Sequence, residues 1–520
     1  MITPEAIDSL TRSDAYDHPA SDVQLIQTHI SWVLLAGDFA YKLKKPVRFG
    51  FLDYSTLSLR KEMCEREVAL NRRTCPAAYI GVVPVVERDG ATYLFGPGRT
   101  LEYAVKMRRL SGDGWLSSWV DRGDASADLL RGVAESLHAF HAAAASGDEI
   151  ARYGSAREVA AIWHENLGEI DPFAGTLLPP EALRDIANYG ERFLQANRRL
   201  MDERASAGRT RDGHGDVRCD SIYVEPDGQV CMTDCIEFSD RLRCGDVASD
   251  VAFLSMDLDF RGRPDLSNEF AGRYVELSSG DETVAHMLPF LRCHRALVRA
   301  KVECITTREA EVESVQIAES RERALRYVAL ARSYATDDAP QALFVLGGLS
   351  GTGKSHLAAA LAARIGAVLV RSDAVRRAMH AAPGGSTVEL GYGHDARVVV
   401  YEAARERVQA HLEFGRSVVF DATHIERSER DNARALASRL GLPLLLIWVN
   451  VAEDLVRARL AKRDLSPDRV SDARWETYLA QRTAMDPLSE IERRDAIEVD
   501  GAEPATVNLA TIVERNRTSR

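Results

Sequence analysis

A glycine-rich segment two-thirds of the way along the chain has the composition of a phosphate-binding loop. The segment Phe344–Ser355 contains the pattern G-x-x-x-x-G-K-[ST]. In such a loop, backbone N–H groups surround a phosphate, the lysine reaches the β- and γ-phosphates, and the final hydroxyl holds Mg²⁺. The residues that we expect to contact the nucleotide are Gly348, Ser350, Gly351, Thr352, Gly353, Lys354 and Ser355.

The residues on either side of this loop favour the same interpretation. An apolar run at 342–346 precedes it, as a buried strand would, and an Ala/Leu-rich stretch at 356–365 follows it, as a helix would. The alternative is a glycine-rich turn between strand and helix that binds no ligand. The flanks favour a site for ATP, or another nucleoside triphosphate, together with Mg²⁺.

Asp373 and Arg376 follow the next apolar run, at the carboxyl end of a predicted strand, where ligands of open α/β sheets bind. In a phosphoryl-transfer site, Asp373 would accept the proton of a substrate hydroxyl, and Arg376 would hold or neutralise phosphate. The structural alternative is that Ser372 or Asp373 caps a helix.

Further acidic and basic residues follow. Asp421 ends the apolar run 418–420, in the position of an acid that orients Mg²⁺ through water, although a buried structural aspartate is the alternative. The basic stretch 457–463 ends near Pro467 and could close over the site, with Arg459 and Arg463 as candidate phosphate contacts. A solvated helix face is the commoner explanation of a basic run.

A second group of candidate residues lies earlier in the chain. His214-Gly-Asp216 is followed by a predicted hairpin that ends at Glu237. Asp216 could accept a hydroxyl proton, and Glu237, which lies 21 residues on, could bind a metal. Lys42 is the candidate phosphate-binding lysine, with Glu67 as its ion-pair partner.

Four of the eight cysteines fall close together, at Cys219, Cys231, Cys235 and Cys244. A zinc cluster is one interpretation, but no Cys-x-x-Cys pair occurs among them. We therefore expect reduced, packed thiols, as in a reducing cytosol.

Composition limits the function classes. The chain is 45% hydrophobic and 28% charged and has no apolar run long enough to cross a bilayer. Residues 1–25 contain four aspartates and no apolar core segment, so we expect no signal peptide and a cytoplasmic protein. A net charge of −12 argues against broad electrostatic binding of nucleic acid, with a local basic groove as the alternative, and favours nucleotide or small-molecule partners. The site residues described above add a hydroxyl acceptor as the expected small molecule.

The order of elements predicts two domains. Short β-like runs and then helices occupy 1–335, turn-forming residues at 336–341 form a linker, and strands alternate with helices over 342–520. The C-terminal alternation predicts a parallel sheet with helices on both faces. The fold class is thus α/β and α+β.

These motifs resemble two known groups of phosphotransferases. Residues 342–515 resemble P-loop kinases such as zeta toxins, chloramphenicol phosphotransferase, gluconate kinase and the kinase domain of polynucleotide kinase. The segment around Asp216 resembles the catalytic and metal loops of aminoglycoside phosphotransferases, although Ser221 and Glu237 stand where that group has Asn and Asp. The resemblance implies a bilobal, kinase-like N-terminal domain. The whole chain resembles bacterial proteins in which an aminoglycoside phosphotransferase-like domain is fused to a P-loop ATP-binding domain.

The resemblance implies an ATP- and Mg²⁺-dependent phosphotransferase with two kinase-type domains that acts on a hydroxyl group. The alternative is a regulatory ATPase or nucleotide-binding switch whose N-terminal domain is a catalytically impaired sensor.

Overall fold

The computed structural model describes residues 2–49, 52–110, 112–308, 314–337, 339–381, 394–464 and 474–518. The α-helices of these ranges are α1 (Pro4–Ser9), α2 (Leu57–Asn71), α3 (Leu116–Arg122), α4 (Ala127–Ala143), α5 (Asp148–Ala151), α6 (Ala156–Ile170), α7 (Pro180–Ser206), α8 (Asp240–Arg243), α9 (Val247–Phe260), α10 (Pro264–Leu277), α11 (Val284–Thr306), α12 (Ser314–Thr336), α13 (Lys354–Ile365), α14 (Ser372–Ala381), α15 (His394–Glu413), α16 (Arg427–Arg439), α17 (Glu453–Asp464), α18 (Trp475–Ala484), α19 (Glu490–Asp495) and α20 (Ala505–Thr518).

The strands are β1 (Gln24–Gln27), β2 (Ser31–Ala36), β3 (Phe39–Lys44), β4 (Arg48–Phe49), β5 (Leu52–Asp53), β6 (Tyr79–Arg88), β7 (Ala91–Tyr93), β8 (Arg99–Arg108), β9 (Thr210–Asp212), β10 (Ile222–Val224), β11 (Val230–Met232), β12 (Cys244–Asp246), β13 (Leu343–Gly347), β14 (Val368–Arg371), β15 (Val418–Asp421), β16 (Leu444–Asn450) and β17 (Ile497–Asp500).

The N-terminal strands form an antiparallel sheet in the order β1-β2-β3-β8-β6-β7. The sequence predicts hairpins that turn at Gly37-Asp38 and at Asp89-Gly90, and both are present: β2 pairs with β3, and β6 pairs with β7. Helix α2 contacts β6 and β8 of this sheet. The packing of α2 on the sheet brings Glu67 of α2 to Lys42 and Lys44 of β3.

The C-terminal strands form the predicted parallel sheet, in the order β14-β15-β13-β16-β17. The sequence predicts these strands to start at residues 342, 367, 417, 443 and 496, and each begins one residue later. The prediction succeeds because long β-branched and Leu-rich runs flanked by turns are typical of buried parallel strands. The strand that precedes the glycine-rich loop, β13, lies at the centre of the sheet. Its carboxyl end therefore opens between β15 and β16.

Helices cover both faces of this sheet. Leu343, Val345, Phe420 and Trp448 belong to a core shared with residues of α14, α15 and α16. The alternate residues of the same strands point to the opposite face, where α13 lies against β13, β14 and β15. The prediction of helices on both faces is confirmed.

The described chain divides into two compact units. The first comprises Met1–Ala125, Ala139–Ile162 and Ala196–Asp257, and the second comprises Ser126–His138, Trp163–Gln195 and Leu258–Arg520. The predicted linker at 336–341 lies within the second unit, because α10 and α11 pack against α13. The compact units describe how the folded chain packs and do not by themselves define domains. The predicted domain boundary at 336–341 therefore stays a prediction.

The expectation of reduced thiols is wrong for Cys231, which forms a disulfide with Cys75. Their Cα atoms lie 4.8 Å apart, and 156 residues separate them in sequence. This pairing depends on tertiary contact, which the spacing of the clustered cysteines does not reveal. Among the residues described, no group of three or more His, Cys, Asp and Glu side chains is placed to hold a metal ion.

In the described ranges, no helix is both long enough and apolar enough to cross a bilayer.

Candidate functional site

The glycine-rich loop connects the end of β13 to the start of α13 in a conformation that needs glycine. Gly348 has φ +131° and Gly353 has φ +98°, both in a region that side chains disfavour. A Cβ atom built on Gly348 would lie 2.5 Å from the carbonyl oxygen of Val449. The backbone of the loop therefore passes close to β16, and any side chain at Gly348 would displace it.

Polar groups of the loop contact one another and one residue of α18. Lys354, only 7% exposed, donates from Nζ to the carbonyl oxygen of Leu349 at 2.6 Å. The hydroxyl of Thr352 donates to the same carbonyl at 2.8 Å. The backbone N–H of Ser350 donates to Oε1 of Gln481 at 2.9 Å. The lysine and the N–H groups of such a loop are the groups that bind phosphate.

Asp421 and Ser355 meet beside this loop. Asp421 is the last residue of β15, in register with Leu346 of β13 and Arg371 of β14. Burial raises the pKa of Asp421, although Arg371, whose Nε lies 3.4 Å from Oδ2, and a hydrogen bond with Ser355 oppose that rise. A carboxylate and a hydroxyl are hard oxygen donors of the kind that suits Mg²⁺.

A cavity of about 540 Å³ opens in front of the loop. Lys354 and Ser355 line it together with Asp373 and Arg376 from the start of α14. The structure thus brings the predicted proton acceptor and its neighbouring guanidinium to the predicted phosphate loop. That volume lies within the range of small-molecule sites in proteins.

The two candidate arginines of the basic stretch are placed differently. Arg459 donates to the carbonyl oxygens of Thr352, at 3.2 Å, and Gly501, at 2.7 Å. It contacts the loop but is not among the described residues that line the cavity. Arg463 belongs to α17, but its side chain lies outside the described residues. The sequence also predicts that the loop Pro383–His394 recognises the acceptor, and all of that loop before His394 lies outside the described residues.

Two cavity arginines were not singled out from the sequence. Arg397 of α15 lines the cavity and forms ion pairs with Glu426 and, at 3.1 Å, with Glu429. Arg371 of β14 donates to the backbone carbonyl of Glu276 at 3.2 Å. Arg371 ends a strand two residues before Asp373, so its position in the sequence could have indicated a site residue. No motif surrounds Arg397.

Glu276 comes from α10, well before the predicted linker, and still lines the cavity. Although burial would raise its pKa, His356, Arg273 and Arg371 lower the pKa of Glu276 to about 2. The side chain is therefore a carboxylate near neutral pH. No local sequence signal pointed to it, because its position depends on the packing of α10 against α13.

His424 supports the loop from behind. It is fully buried, and its Nδ1 lies 2.7 Å from the carbonyl oxygen of Leu346 at the end of β13. Burial lowers the pKa of His424 to about 4, so the imidazole is neutral at pH 7 and Nδ1 donates that hydrogen bond. Its backbone adopts φ +45°, and its N–H donates to the hydroxyl of Tyr401 at 3.0 Å.

In the first unit, Lys42 lies among carboxylates. Its Nζ is 2.9 Å from Oε1 of Glu67, as predicted, and 2.8 Å from Oδ1 of Asp234. Asp234 has φ +60°, and its side chain is 57% exposed. The sequence alone does not indicate a role for Asp234, because nothing local shows that it reaches Lys42.

Glu237 lies deeper in the same unit. It pairs with Lys44, and the hydroxyl of Tyr54 donates to its Oε1 at 2.5 Å. Lys44 also lies 2.7 Å from Oε2 of Glu67. The predicted metal role of Glu237 stays a prediction, and these contacts describe a carboxylate held by buried partners.

Asp216 forms a bidentate ion pair with Arg218. The guanidinium donates from Nε to Oδ1 at 2.8 Å and from Nη2 to Oδ2 at 3.1 Å. The Ser221 hydroxyl donates to the carbonyl oxygens of Asp216, at 2.9 Å, and Arg218, at 3.0 Å. Ser221 thus braces the loop that carries Asp216. Asp250 does so as well, because it accepts from the N–H groups of His214 and Gly215, each at 2.9 Å.

The C-terminal fold and loop define a P-loop domain, and a family profile described as "AAA domain" matches residues 343–487. Uncharacterized proteins of Mycobacterium tuberculosis and Mycobacterium bovis are 33% identical to this protein over 467 residues, which cover 88% of this chain and 90% of theirs. The chain belongs to the family of these mycobacterial proteins.

Two solved structures are similar to parts of the chain. A gluconokinase from Sinorhizobium meliloti is 23% identical and covers 34% of this chain and 95% of its own, with a TM-score of 0.25. A choline/ethanolamine kinase family protein from Mesorhizobium loti is 14% identical and covers 64% of this chain and 100% of its own, with a TM-score of 0.36. Both structures therefore resemble only a part of this chain.

Proposed function

We propose that the protein is a phosphotransferase that uses ATP and Mg²⁺ to phosphorylate a hydroxyl group of a small molecule or nucleotide at the P-loop cavity. The observation that carries this proposal is the presence of Asp373 and Arg376 in one cavity with Lys354 and Ser355. In phosphoryl transfer to a hydroxyl, a carboxylate beside the phosphate loop accepts the proton of the acceptor.

Each side chain has a part in this reaction. Lys354 would leave the carbonyl of Leu349 and bind the β- and γ-phosphates. Ser355 would hold Mg²⁺ directly and Asp421 would hold it through water, where the ion neutralises charge on the phosphates.

On the acceptor side, Asp373 would take the proton of the attacking hydroxyl and Arg376 would stabilise charge on the transferred group. The hydroxyl oxygen forms a bond to the γ-phosphorus as the bond to the β–γ bridging oxygen breaks, which leaves ADP. Arg459 contacts the loop backbone, so we assign it the support of the loop rather than contact with the transferred phosphoryl group.

In the first unit, the arrangement supports a second, kinase-like site. Lys42 and Glu67 form an ion pair of the kind that positions phosphates in kinases, and Asp234 beside Lys42 is an exposed carboxylate suited to metal. We propose Asp234 as a metal ligand alongside the earlier candidate Glu237. Asp216 would be the proton acceptor.

The contacts of two carboxylates in the first unit favour the alternative function, a nucleotide-binding switch with an impaired sensor domain. Arg218 holds both carboxylate oxygens of Asp216, and Lys44 and Tyr54 engage Glu237. Both carboxylates must give up these contacts before they could serve catalysis.

A metabolite extract incubated with γ-labelled ATP and the full-length chain tests the proposal. We expect a labelled small molecule that forms with the wild type and with Asp216→Ala and does not form with Lys354→Ala. Release of labelled phosphate alone would contradict transfer and support the switch. A product lost only in Asp216→Ala would move the transfer to the first unit.

A further inference from the structure

Glu276 is a carboxylate with one oxygen that its neighbours in the fold do not use. Arg273 donates from Nη1 to Oε2 at 3.1 Å, and Nδ1 of His356 lies 3.8 Å from the same oxygen. Among the hydrogen bonds of the described residues, none goes to Oε1. The Glu276 side chain is 15% exposed, and Glu276 lines the cavity in front of the P-loop. Oε1 is therefore the oxygen that remains for a ligand.

Arg273 holds this carboxylate through a single N–H group. Its Nε and Nη2 both donate to Oε1 of Glu135, at 3.0 Å and 2.6 Å, so Nη1 makes the bond to Glu276. A bidentate arginine would occupy both oxygens of a carboxylate. Arg273 bonds only one, which fixes the position of Glu276 and leaves it able to accept a further donor.

Glu276 lies on the side of the cavity where the acceptor must bind. Arg371, at the end of β14, donates to the backbone carbonyl of Glu276 at 3.2 Å. The N–H of Leu369 donates to the carbonyl of Glu282 at 2.9 Å, so the chain that follows α10 runs beside β14, the edge strand of the sheet. Helix α14 follows β14 and carries Asp373 into the same cavity. An acceptor whose hydroxyl reaches Asp373 therefore lies in the part of the cavity that Glu276 lines.

We infer that Glu276 is a specificity-determining residue, which accepts a hydrogen bond from a second donor group of the phosphoryl acceptor. The inference rests on the proposed function and names the class of acceptor: an alcohol that carries a further hydroxyl or an ammonium group beside the hydroxyl to be phosphorylated. A carboxylate binds such donors and repels anionic groups. Glu276 belongs to α10, before the residues 343–487 that the family profile matches, so the preceding helices supply this contact to the P-loop cavity.

Steady-state kinetics of the full-length chain test the inference. The acceptor is prepared by phosphatase treatment of the labelled product that the wild type forms from the metabolite extract. Glu276→Ala should raise the KM for this acceptor about 10- to 100-fold, the range expected for loss of a hydrogen bond to a charged group. The kcat should stay close to the wild-type value, because the contact is the same in the ground state and the transition state.

Nucleotide binding is the second readout. Calorimetric titration with ATP and Mg²⁺ should give Glu276→Ala the affinity of the wild type, because the P-loop and its metal ligands are unchanged. The same titration shows that the variant is folded around its cavity, which separates loss of folding from loss of the acceptor contact.

Glu276→Gln distinguishes the two kinds of donor group. An amide oxygen still accepts from a hydroxyl, so for a hydroxyl donor the KM should rise only about 2- to 10-fold. The amide carries no charge that attracts an ammonium group. For that donor, the KM should rise as much in Glu276→Gln as in Glu276→Ala.

Glu269→Gln is the matched control. Glu269 lies on the same helix, pairs with Arg131, and places Oε1 3.7 Å from Nε2 of His356, the histidine that also pairs with Glu276. It is buried but is not among the described residues that line the cavity. Its KM for the acceptor should equal that of the wild type, whereas an effect that arises from His356 or from the packing of α10 would appear in both variants.

Three results would overturn the inference and leave the proposed function in place. The first is an acceptor KM that does not change in Glu276→Ala, and the second is an equal rise in Glu269→Gln. The third is a weaker affinity for ATP with Mg²⁺ in Glu276→Ala at an unchanged acceptor KM, which would assign Glu276 to the nucleotide. A wild-type chain that forms no labelled product would instead overturn the proposed function, and with it the acceptor.

Discussion

Buried charged side chains at the ends of β14 and β15 determine what the P-loop site can do. Arg371 lies between the Asp421 carboxylate and the backbone of Glu276, and Asp421 in turn bonds Ser355. Each charge is compensated by a neighbour, as burial requires. The site is therefore organised by contacts of the chain itself before any ligand binds.

His424 should make the stability of the protein depend on pH. Its pKa falls from 6.5 to about 4 in the fold, so protonation below pH 6.5 favours the unfolded chain, and stability falls as the pH falls toward 4. Between pH 7.5 and pH 5, protonation of this one residue should lower the free energy of unfolding by about 2 kcal/mol.

Urea denaturation at pH 7.5 and pH 5 measures this effect in the wild type and in His424→Asn, whose amide can still donate to Leu346. The variant should lose less stability between the two pH values. Part of the dependence should remain, because burial also lowers the pKa of His294, to about 3. Equal losses in both proteins would contradict the assignment of a neutral, buried His424.

The sequence predicts some site residues better than others for a physical reason. The loop residues, Asp373 and Asp421 follow strands within a few positions, so local order places them. Glu276, Arg397 and Gln481 reach the cavity through helix packing across long separations. No local pattern encodes such packing.

At the scale of elements, the packing of α10 on α13 is what places Glu276 beside the P-loop. Gly272 of α10 lies so close to α13 that an added Cβ would be 2.9 Å from Cα of Ala360. A glycine in the middle of a helix is usually unfavourable, and here it permits the close approach.

Gly272→Ala should therefore destabilise the protein by about 1–3 kcal/mol, because overpacking forces the helices apart. Gly168→Ala is the matched control, since a Cβ on that exposed helical glycine meets nothing within 4 Å. It should stabilise by about 0.5–1 kcal/mol through helix propensity. Denaturant midpoints measure both, and a neutral Gly272→Ala would show that α10 and α13 are not in close contact.

The sheets also show the limit of prediction from local order. The parallel strands were predicted because each is a long apolar run between turns. The assignment of α10 and α11 to the compact unit that contains the P-loop was not predicted, because it follows from the faces that these helices bury rather than from turn-forming residues at 336–341.

At the scale of the whole molecule, the Cys75–Cys231 disulfide constrains the first unit across 156 residues. A reductant should lower the stability of this unit by about 2–4 kcal/mol, because the unfolded chain gains freedom. A Cys75→Ala/Cys231→Ala double variant should unfold at the same midpoint with and without reductant.

Thermal unfolding with and without reductant, together with intact mass, measures this effect. A wild-type midpoint that does not respond to reductant, in protein whose mass shows the disulfide intact beforehand, would contradict a structural role for the bond.

The match to the mycobacterial proteins covers 88% of this chain. We assign phosphoryl transfer to the P-loop cavity and propose a second site in the first unit. Variants of each site in the full-length chain show which of the two sites carries phosphoryl transfer.

The most direct test compares nucleotide binding with transfer in Asp373→Asn. We predict unchanged affinity for ATP and a rate of labelled-product formation about 10²–10⁴-fold lower, since the proton acceptor is lost while the phosphate loop is intact. Asp495→Asn, at an exposed carboxylate outside the cavity lining, should behave as the wild type. Transfer by Asp373→Asn at the wild-type rate would contradict the claim that this cavity phosphorylates a hydroxyl.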